Sequence, residues 1–562
     1  MMTTITGRSA FLSLLEDEGV THLFGNPGTT ELPIMDALVE HPQLRYVLGL
    51  QEAIVVAMAD GFSRVSGKLS ACNVHVAPGL GNALGSLYNA AWYGSPVIIT
   101  AGQQEQGFGL TEPLLAGPLV AMATPLAKWA VEVNRLADLP RIVRRAAKVA
   151  TAPPTGPVFI ALPGDILNDE AAIDLGHSTR VRAETVPTAA TLEALAARIL
   201  AARSPVIVTG HEVALGDALD EAQKLAELLG APVYQQTVPC AAHYRSEHPA
   251  FMGSLGRSQP AVREMLEPHD LMICLGCDVL RMSVWHAVDP MPDGMEVVQI
   301  GQRDWELGKN YPASLAVRAD VKHTLRALEP VLAVRRDAAR AREADRRLEE
   351  LAARNWTAKR AQLAEQTLTR ADATPIPPEV LMLRLAETLP ADAVVVEEGL
   401  LSTRTLQSFL PMRDARGFFG LASGGIGFAI AGAIGIHLAQ PERPLVAVIG
   451  DGSAMYSIQA LWTAAHLKLP ITYVITNNRS YRILKERLLA FKGMAATNQA
   501  FPGMDFRDPP IDFVALAESM GVTARRVTRG DEIVPALEEA LAHDGPNLLD
   551  VLVHDGFESY AQ

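Results

Sequence analysis

The sequence predicts an α/β protein of three domains, each a mainly parallel sheet with flanking helices. Three observations predict it. Short apolar runs of strand length alternate with amphipathic stretches of helix length along nearly the whole chain, the pattern of repeated β–α–β crossovers. That alternation breaks twice, at a polar stretch over 169–188 and a charged one over 335–360, which leaves units of about 170, 150 and 190 residues, each the size of one domain. With 49% hydrophobic and 20% charged residues, the 562-residue chain holds enough apolar side chains for three separate cores.

In the first unit, strand-like runs fall at 21–24 (THLF), 46–50 (YVLGL), 70–76 (SACNVHV), 96–100 (PVIIT) and 157–162 (PVFIAL), with helical patterns such as 9–18 and 53–65 between them. The stretch 169–188 lacks periodicity and reads as a linker. A second unit starts at Leu192 and carries runs at 205–209 (PVIVT), 231–234 (APVY), 270–275 (DLMICL) and 296–300 (EVVQI). After Val334 the Ala-, Arg- and Glu-rich run 335–360 has apolar residues at helical spacing. It reads as a solvated helix joining domains, since its bases are matched by acids, which a nucleic-acid arm would lack. In the third unit the runs are 393–396 (AVVV), 417–420, 444–449 (PLVAVI), 471–475 (ITYVI) and 547–553 (NLLDVLV). The expected boundaries are therefore 1–175, 188–335, a helical linker 336–371, and 372–562. No short sequence repeat relates the first unit to the third; structural kinship between them stays open.

Composition excludes several classes of function. Lys and Arg number 49 against 63 Asp and Glu, a net charge of −14, so neither nucleic acid nor an anionic membrane is an expected partner. Four cysteines are too few for a disulfide framework in a chain this long. Cys274 and Cys277 have C-x-x-C spacing, but they lie on an apolar run with no second pair nearby and read as buried structural residues. No basic n-region precedes an apolar stretch at the start, and no 18-residue uncharged apolar run occurs, so a cytoplasmic enzyme is expected.

The strongest chemical signal lies in the third unit. The run 444–449 leads straight into Gly450-Asp451-Gly452-Ser453, and the next run ends in Asn477-Asn478-Arg479-Ser480-Tyr481. Ligand loops gather at the C-terminal ends of parallel strands. Asp451 and Asn478 are 27 residues apart, one strand–helix–strand crossover, so adjacent strands bring their oxygens together. A carboxylate, an amide oxygen and a nearby carbonyl suit Mg²⁺ better than Zn²⁺. Glycines beside Asp451 let backbone N–H groups approach a diphosphate at a helix N-terminus. Read singly, GDG is a tight turn and NN a strand-end turn; the pair, with 24 residues between, is specific.

That pair resembles the thiamine diphosphate signature. The whole chain is similar to the decarboxylase and acetolactate-synthase-like family of thiamine diphosphate enzymes, in its benzoylformate decarboxylase-like branch. The likeness is densest at 24–33 (FGNPGTTELP), 50–60 (LQEAIVVAMAD), 74–85 (VHVAPGLGNALG), 100–104 (TAGQQ), 423–428 (SGGIGF) and 448–464. It implies that Asp451, Asn478 and the Ser480 carbonyl ligate Mg²⁺, with Gly452, Ser453 and Tyr481 along the diphosphate. Glu52, otherwise readable as a helix N-terminal acid, then hydrogen-bonds N1′ of the aminopyrimidine. Gly424 offers its carbonyl to the 4′-amino group, and Ile426 wedges between the two rings.

The resemblance also implies substrate contacts. His75, otherwise a core histidine, falls where the family has a proton-transfer histidine. Thr29 replaces a serine whose hydroxyl binds the substrate carboxylate. At the family's second histidine an ungapped alignment puts Ser283, so either His286 takes that role from a shifted loop or the role is absent. Leu400 stands where a threonine faces the reacting carbon, and Arg482, Lys485 and Arg487 replace an apolar wall. They are either a solvated helix face or a cationic entrance for a polar 2-oxo acid.

The implied reaction is decarboxylation of a 2-oxo acid to an aldehyde, in a homotetramer whose sites lie between subunits. A carboligase forming 2-hydroxy ketones or acetohydroxy acids shares every cofactor residue. A structural flavin in the central domain stays open. A dinucleotide oxidoreductase is disfavoured by the G-x-G-x-x-x-G spacing over 79–85.

Overall fold

A computed structural model describes residues 3–283 and 285–556. Strand β1 (Thr3–Thr6) precedes the first sheet, whose strands are β2 (His22–Gly25), β3 (Arg45–Leu48), β4 (Ser70–Val74), β5 (Val97–Gln103), β6 (Ala130–Glu132) and β7 (Val158–Pro163). After them, β8 (Glu170–Ile173) returns antiparallel to β1, so the segment expected as linker begins with a clip that closes the unit. The first sheet is all parallel, in the order β3-β2-β4-β5-β7-β6.

The central sheet holds β9 (Pro205–Thr209), β10 (Val233–Gln235), β11 (Phe251–Ser254), β12 (Leu271–Leu275), β13 (Glu296–Gly301) and β14 (Leu315–Arg318). Its order is β11-β10-β9-β12-β13-β14, the doubly wound arrangement of dinucleotide-binding folds. The third sheet holds β15 (Val394–Glu398), β16 (Phe418–Phe419), β17 (Leu445–Gly450), β18 (Ile471–Asn477), β19 (Thr523–Val527) and β20 (Asn547–Leu552), ordered β16-β15-β17-β18-β20-β19. Counted within their units, the first and third sheets have the same strand order, 2-1-3-4-6-5. The fold is thus three parallel-sheet α/β units, two of them alike.

Burial explains which strands were legible. β4, β7, β12 and β18 are buried along their whole length, because helices cover both faces of a parallel sheet, and they read as continuous apolar runs. The strands missed in the sequence lie at or near edges. β19 (TARRV) is mostly exposed, and β6 and β14 are short and half-buried or exposed. The charged run after Val334 also differs from expectation. It is two helices, Ala338–Ala352 and Trp356–Leu368, and it is docked: Leu351 and Trp356 are buried, and Trp356 Nε1 donates to the Gln407 carbonyl at 2.9 Å.

The first and third units share one apolar core, in which Ile54, Met58 and Phe62 meet Ile430, Ile434 and Val396. Its seam is the contact of helix Glu52–Ser66 with helix Ala429–Ala439. Backbone approach there depends on glycine: a Cβ at Gly435 would stand 1.9 Å from the Met58 carbonyl oxygen, and one at Gly61 2.2 Å from that of Gly432. Beside the seam, fully buried Arg64 donates to both Asp60 oxygens (2.9 and 2.6 Å) and to the Gly420 carbonyl (3.0 Å). Those partners compensate the desolvation that an unpaired guanidinium would suffer.

Candidate functional site

In the third unit, β17 and β18 are parallel neighbours in register Gly450↔Thr476, so their C-terminal ends deliver Asp451 and Asn478 side by side. Asp451 opens the short helix Asp451–Ala454, and its Oδ1 accepts from Gly452 N at 2.8 Å. Its Oδ2 is buried without any hydrogen-bond partner, as is Ser480 Oγ. Burial pushes the Asp451 carboxyl up to about 6 against several backbone N–H groups that pull it down. Asn478 Nδ2 donates to Ser402 Oγ at 3.1 Å, and its Oδ1 accepts from Ser480 N at 2.9 Å.

An orphaned, desolvated carboxylate oxygen among amide and carbonyl oxygens is what a hard divalent cation satisfies. These residues fit Mg²⁺ and a diphosphate. The adjoining pocket is lined by Leu400, Ile426, Asp451, Asn478, Tyr481 and Ile483, among others, and every lining residue comes from the third unit. Gly452 keeps it open, since a Cβ there would stand 2.6 Å from the Tyr481 ring, itself held edge-on against Phe506.

The segment 423–427 frames the other side. Gly424 and Gly427 have φ of 86° and 103°, conformations that favour glycine. Ser423 is tied to Asn89 of the first unit, whose Oδ1 accepts from Ser423 N (3.2 Å) and Oγ (3.0 Å). Beneath lies Glu398, which the sequence reading missed. Its two oxygens accept from Gly427 N and from Ala429 N (2.6 Å), while burial pushes its carboxyl up to about 8. The only sequence signal was an acid at the end of an apolar run.

In the first unit, Glu52 begins helix Glu52–Ser66, with Gln51 Oε1 capping Ala53 N at 2.6 Å. Glu52 is nearly buried; Asn82 Nδ2 donates to its Oε2 at 3.0 Å. His75 follows β4, and its Nδ1 lies 2.7 Å from Oε2 of Glu31, a fully buried carboxylate. Glu31, also missed, further accepts from Gly28 N (3.1 Å), Thr30 Oγ1 (2.8 Å) and Gly102 N (2.8 Å). With Nδ1–H donating to Glu31, the lone pair or proton at Nε2 is left for a ligand. Thr29 is exposed at the start of the turn Thr29–Glu31. The hydroxyl touching His75 is that of Thr30, at 3.3 Å.

Three non-glycine residues in left-handed backbone sit beside these groups: Val76 (φ 46°) after His75, Leu400 (53°) in the pocket wall, and Arg479 (54°) after Asn478. For a β-branched valine this is a true outlier, and such strain persists only where the surroundings impose it.

Other expected residues lie elsewhere. His286 belongs to the central unit, where its backbone N–H donates to Gln259 Oε1, and it does not line the third unit's pocket. Lys485 contradicts both readings made of it. It is neither solvated nor a rim charge: it is fully buried, with Nζ 2.6 Å from Asp505 Oδ1 and 3.9 Å from Asp555 Oδ2. Arg482 is half-buried, lines the pocket and pairs with Glu486, while Arg487 is exposed. In the central sheet, Glu212 stands at the strand ends where this strand order receives a dinucleotide, and it lines a cavity there with Gln302, Arg303 and Asp320. Its carboxylate accepts from Gln302 N (2.7 Å) and Arg303 N (3.2 Å), and its Cβ lies 2.4 Å from where a Cβ of Gly276 would be. Among the described residues no helix is long and apolar enough to cross a membrane.

Three family profiles match: the N-terminal TPP binding domain of thiamine pyrophosphate enzymes over residues 5–111, the central domain over 192–328, and the C-terminal TPP binding domain over 401–551. A benzoylformate decarboxylase from Pseudomonas aeruginosa is 34% identical, over 97% of this chain and 98% of its own. A putative acetolactate synthase large subunit from Mycobacterium tuberculosis is 28% identical, over 98% and 99%. Among solved structures, a thiamine diphosphate-dependent 4-hydroxybenzoylformate decarboxylase from Rhodococcus jostii superposes with a TM-score of 0.85 at 30% identity, covering 98% of this chain and 99% of that one.

Proposed function

We propose, from the premise that this chain belongs to the thiamine pyrophosphate enzyme family, that it decarboxylates a 2-oxo acid to an aldehyde with thiamine diphosphate and Mg²⁺. The observation that carries the proposal is the buried, unpartnered Asp451 Oδ2 beside Asn478 and Ser480, a donor set that calls for a hard cation. Asp451, Asn478 and the Ser480 carbonyl would hold Mg²⁺, while Gly452, Ser453 and Tyr481 flank the diphosphate. Thiamine diphosphate, bound there, supplies a carbon nucleophile and a sink for the electron pair that carbon dioxide leaves behind.

The chain's own residues then divide the work. Gly424 and Ile426 orient the cofactor's rings, and Glu52 holds a proton at N1′. The Thr29 hydroxyl binds the substrate carboxylate. His75, held by Glu31, delivers a proton from Nε2 to the reacting carbon. Because the pocket is built from the third unit alone, Glu52, His75 and Thr29 are assigned to a second copy facing it, and the homotetramer is a pair of such dimers. His286 has no assigned role in this arrangement.

The acetolactate synthase-like relative favours a second outcome at the same site, attack on a second carbonyl to give a hydroxy ketone. Incubation with Mg²⁺, thiamine diphosphate and a panel of 2-oxo acids, with both product types quantified, tests the proposal. Aldehyde as the major product is expected. Hydroxy ketone as the major product from every acid would replace decarboxylation with carboligation, and no product from any acid would overturn both.

A further inference from the structure

We infer that His211, Cys240 and His243 form a second metal site, at the junction of the three units, for a soft or borderline ion such as Zn²⁺. One ligand atom from each lies within 4.8 Å of the others, the only such grouping of His, Cys, Asp and Glu among the described residues, and all three side chains are buried. The donor set of two imidazoles and a thiolate suits zinc or cuprous copper and is poor for Mg²⁺.

The tautomer of His211 is fixed by the fold. Its Nε2 lies 2.5 Å from the Tyr93 carbonyl and must donate to it, which leaves Nδ1 as a lone pair 3.5 Å from Cys240 Sγ. Such a carbonyl behind a ligating imidazole is the usual outer support of a metal-bound histidine. Bonds of about 2.05 Å to nitrogen and 2.3 Å to sulfur at a tetrahedral angle put the two ligand atoms about 3.6 Å apart, close to what is seen. A plain S–H···N hydrogen bond would also explain that distance.

It would not explain His243. Both of its ring nitrogens are buried and neither has a hydrogen-bond partner. A polar ring desolvated without compensation destabilises the fold unless something occupies its lone pair. Buried Cys240 lies in the field of Arg64, Arg303 and Arg281, whose charges favour its thiolate. An ion in place of the thiol proton, which leaves to solvent, supplies the positive charge that the thiolate needs.

The site's place in the fold gives it a structural role. Cys240 lies in the segment after β10 that reaches the third unit: Gly420 N donates to the Cys240 carbonyl at 2.9 Å, and Ala241 bridges to Phe419. His211 reaches the first unit through Tyr93, whose carbonyl also accepts from Arg303 Nη2 at 2.9 Å. A metal here ties the central unit to both neighbours.

The test uses full-length protein expressed in medium supplemented with zinc and copper, freed of loosely held metal by chelator and gel filtration. Elemental analysis is expected to find close to one zinc or copper per chain, and Cys240→Ser and His243→Gln to remove it while Mg²⁺-dependent turnover persists. Cobalt supplied in place of zinc should give a near-ultraviolet thiolate-to-metal band. Less than a tenth of an ion per chain, or equal metal in wild type and Cys240→Ser, overturns the site. If both variants fail to fold, the cobalt spectrum of the unmodified chain decides, and absence of the thiolate band refutes the inference.

Discussion

The first and third sheets have one strand order and two chemistries. In this order the chain changes direction between the unit's first and third strands, and the crevice there is where open α/β sheets bind ligands. The equivalent loops match. After the first strand come Thr29 and Glu31 in one unit and Leu400 in the other; after the third come His75 and Asp451. In the first unit these polar groups are satisfied by one another, His75 by Glu31 and Glu52 by Asn82. In the third, Asp451 keeps an oxygen with no partner. A shared topology thus places the loops, while hydrogen-bond satisfaction separates the half proposed to move protons from the half proposed to hold the cation.

The sharpest test of that division is a pair of variants. Glu52→Gln should lower turnover by about 10²–10⁴-fold, the usual value of a positioned proton-transfer group, with cofactor affinity within a few-fold of wild type. Asp451→Ala should do the reverse, abolishing Mg²⁺-dependent binding of thiamine diphosphate in calorimetry. Retained binding there would put the metal elsewhere.

Co-expressing the two inactive chains asks whether the halves meet across a subunit boundary. Random pairing should restore about a quarter of wild-type turnover, because half of the dimers carry one site in which both halves are intact. No recovery would mean that the halves meet within one chain.

Glu31→Gln probes the first half from within. Turnover should fall by about 10–100-fold, less than loss of the proton carrier itself, because the His75 ring loses the acceptor that fixes its orientation. A fall in Tm with kcat within threefold of wild type would reduce Glu31 to a structural prop.

Gly435→Ala tests the seam that joins the two units. Its Cβ would collide with the Met58 carbonyl, and overpacking of this kind costs about 1–3 kcal/mol, read as a fall in Tm with cofactor affinity little changed.

The smallest effect concerns His22, in the first sheet only. Burial first, then the Arg45 charge, hold its imidazole at about 4 against an ordinary 6.5. The unfolded chain therefore takes the proton first: this contribution to stability is complete above pH 6.5 and is lost as pH falls toward 4. His22→Gln should flatten that acid limb, raising Tm at pH 5 relative to pH 7 by about 2–4 °C compared with wild type.

Much of this was legible without coordinates because it is local. The strand–GDG–helix turn and the NN turn after the next strand are set by residues adjacent in the chain, so one crossover's spacing sufficed to pair Asp451 with Asn478. Buried strands such as β12 and β18 declared themselves by unbroken apolarity. Edge strands did not: β19 (TARRV) is mostly exposed and carries two adjacent arginines, so neither an apolar run nor an alternation marks it.

What only the tertiary structure decided were the partners distant in sequence. Glu31 reaches His75 across 44 residues and Glu398 reaches Gly427 across 29, and neither spacing is fixed by any helix or strand period. Lys485 shows the same point by failure. Its helix looks charged and solvated in sequence, but the return of the chain at Asp505 and Asp555 lets an ammonium be buried among carboxylates. The meeting of His211 with Cys240 and His243 likewise depends on how the segments after β9 and β10 of the central unit pack against each other. Local pattern specifies an element because its hydrogen bonds close within a few residues; a site made of loops is specified by packing between elements, which the order of residues along one element does not record.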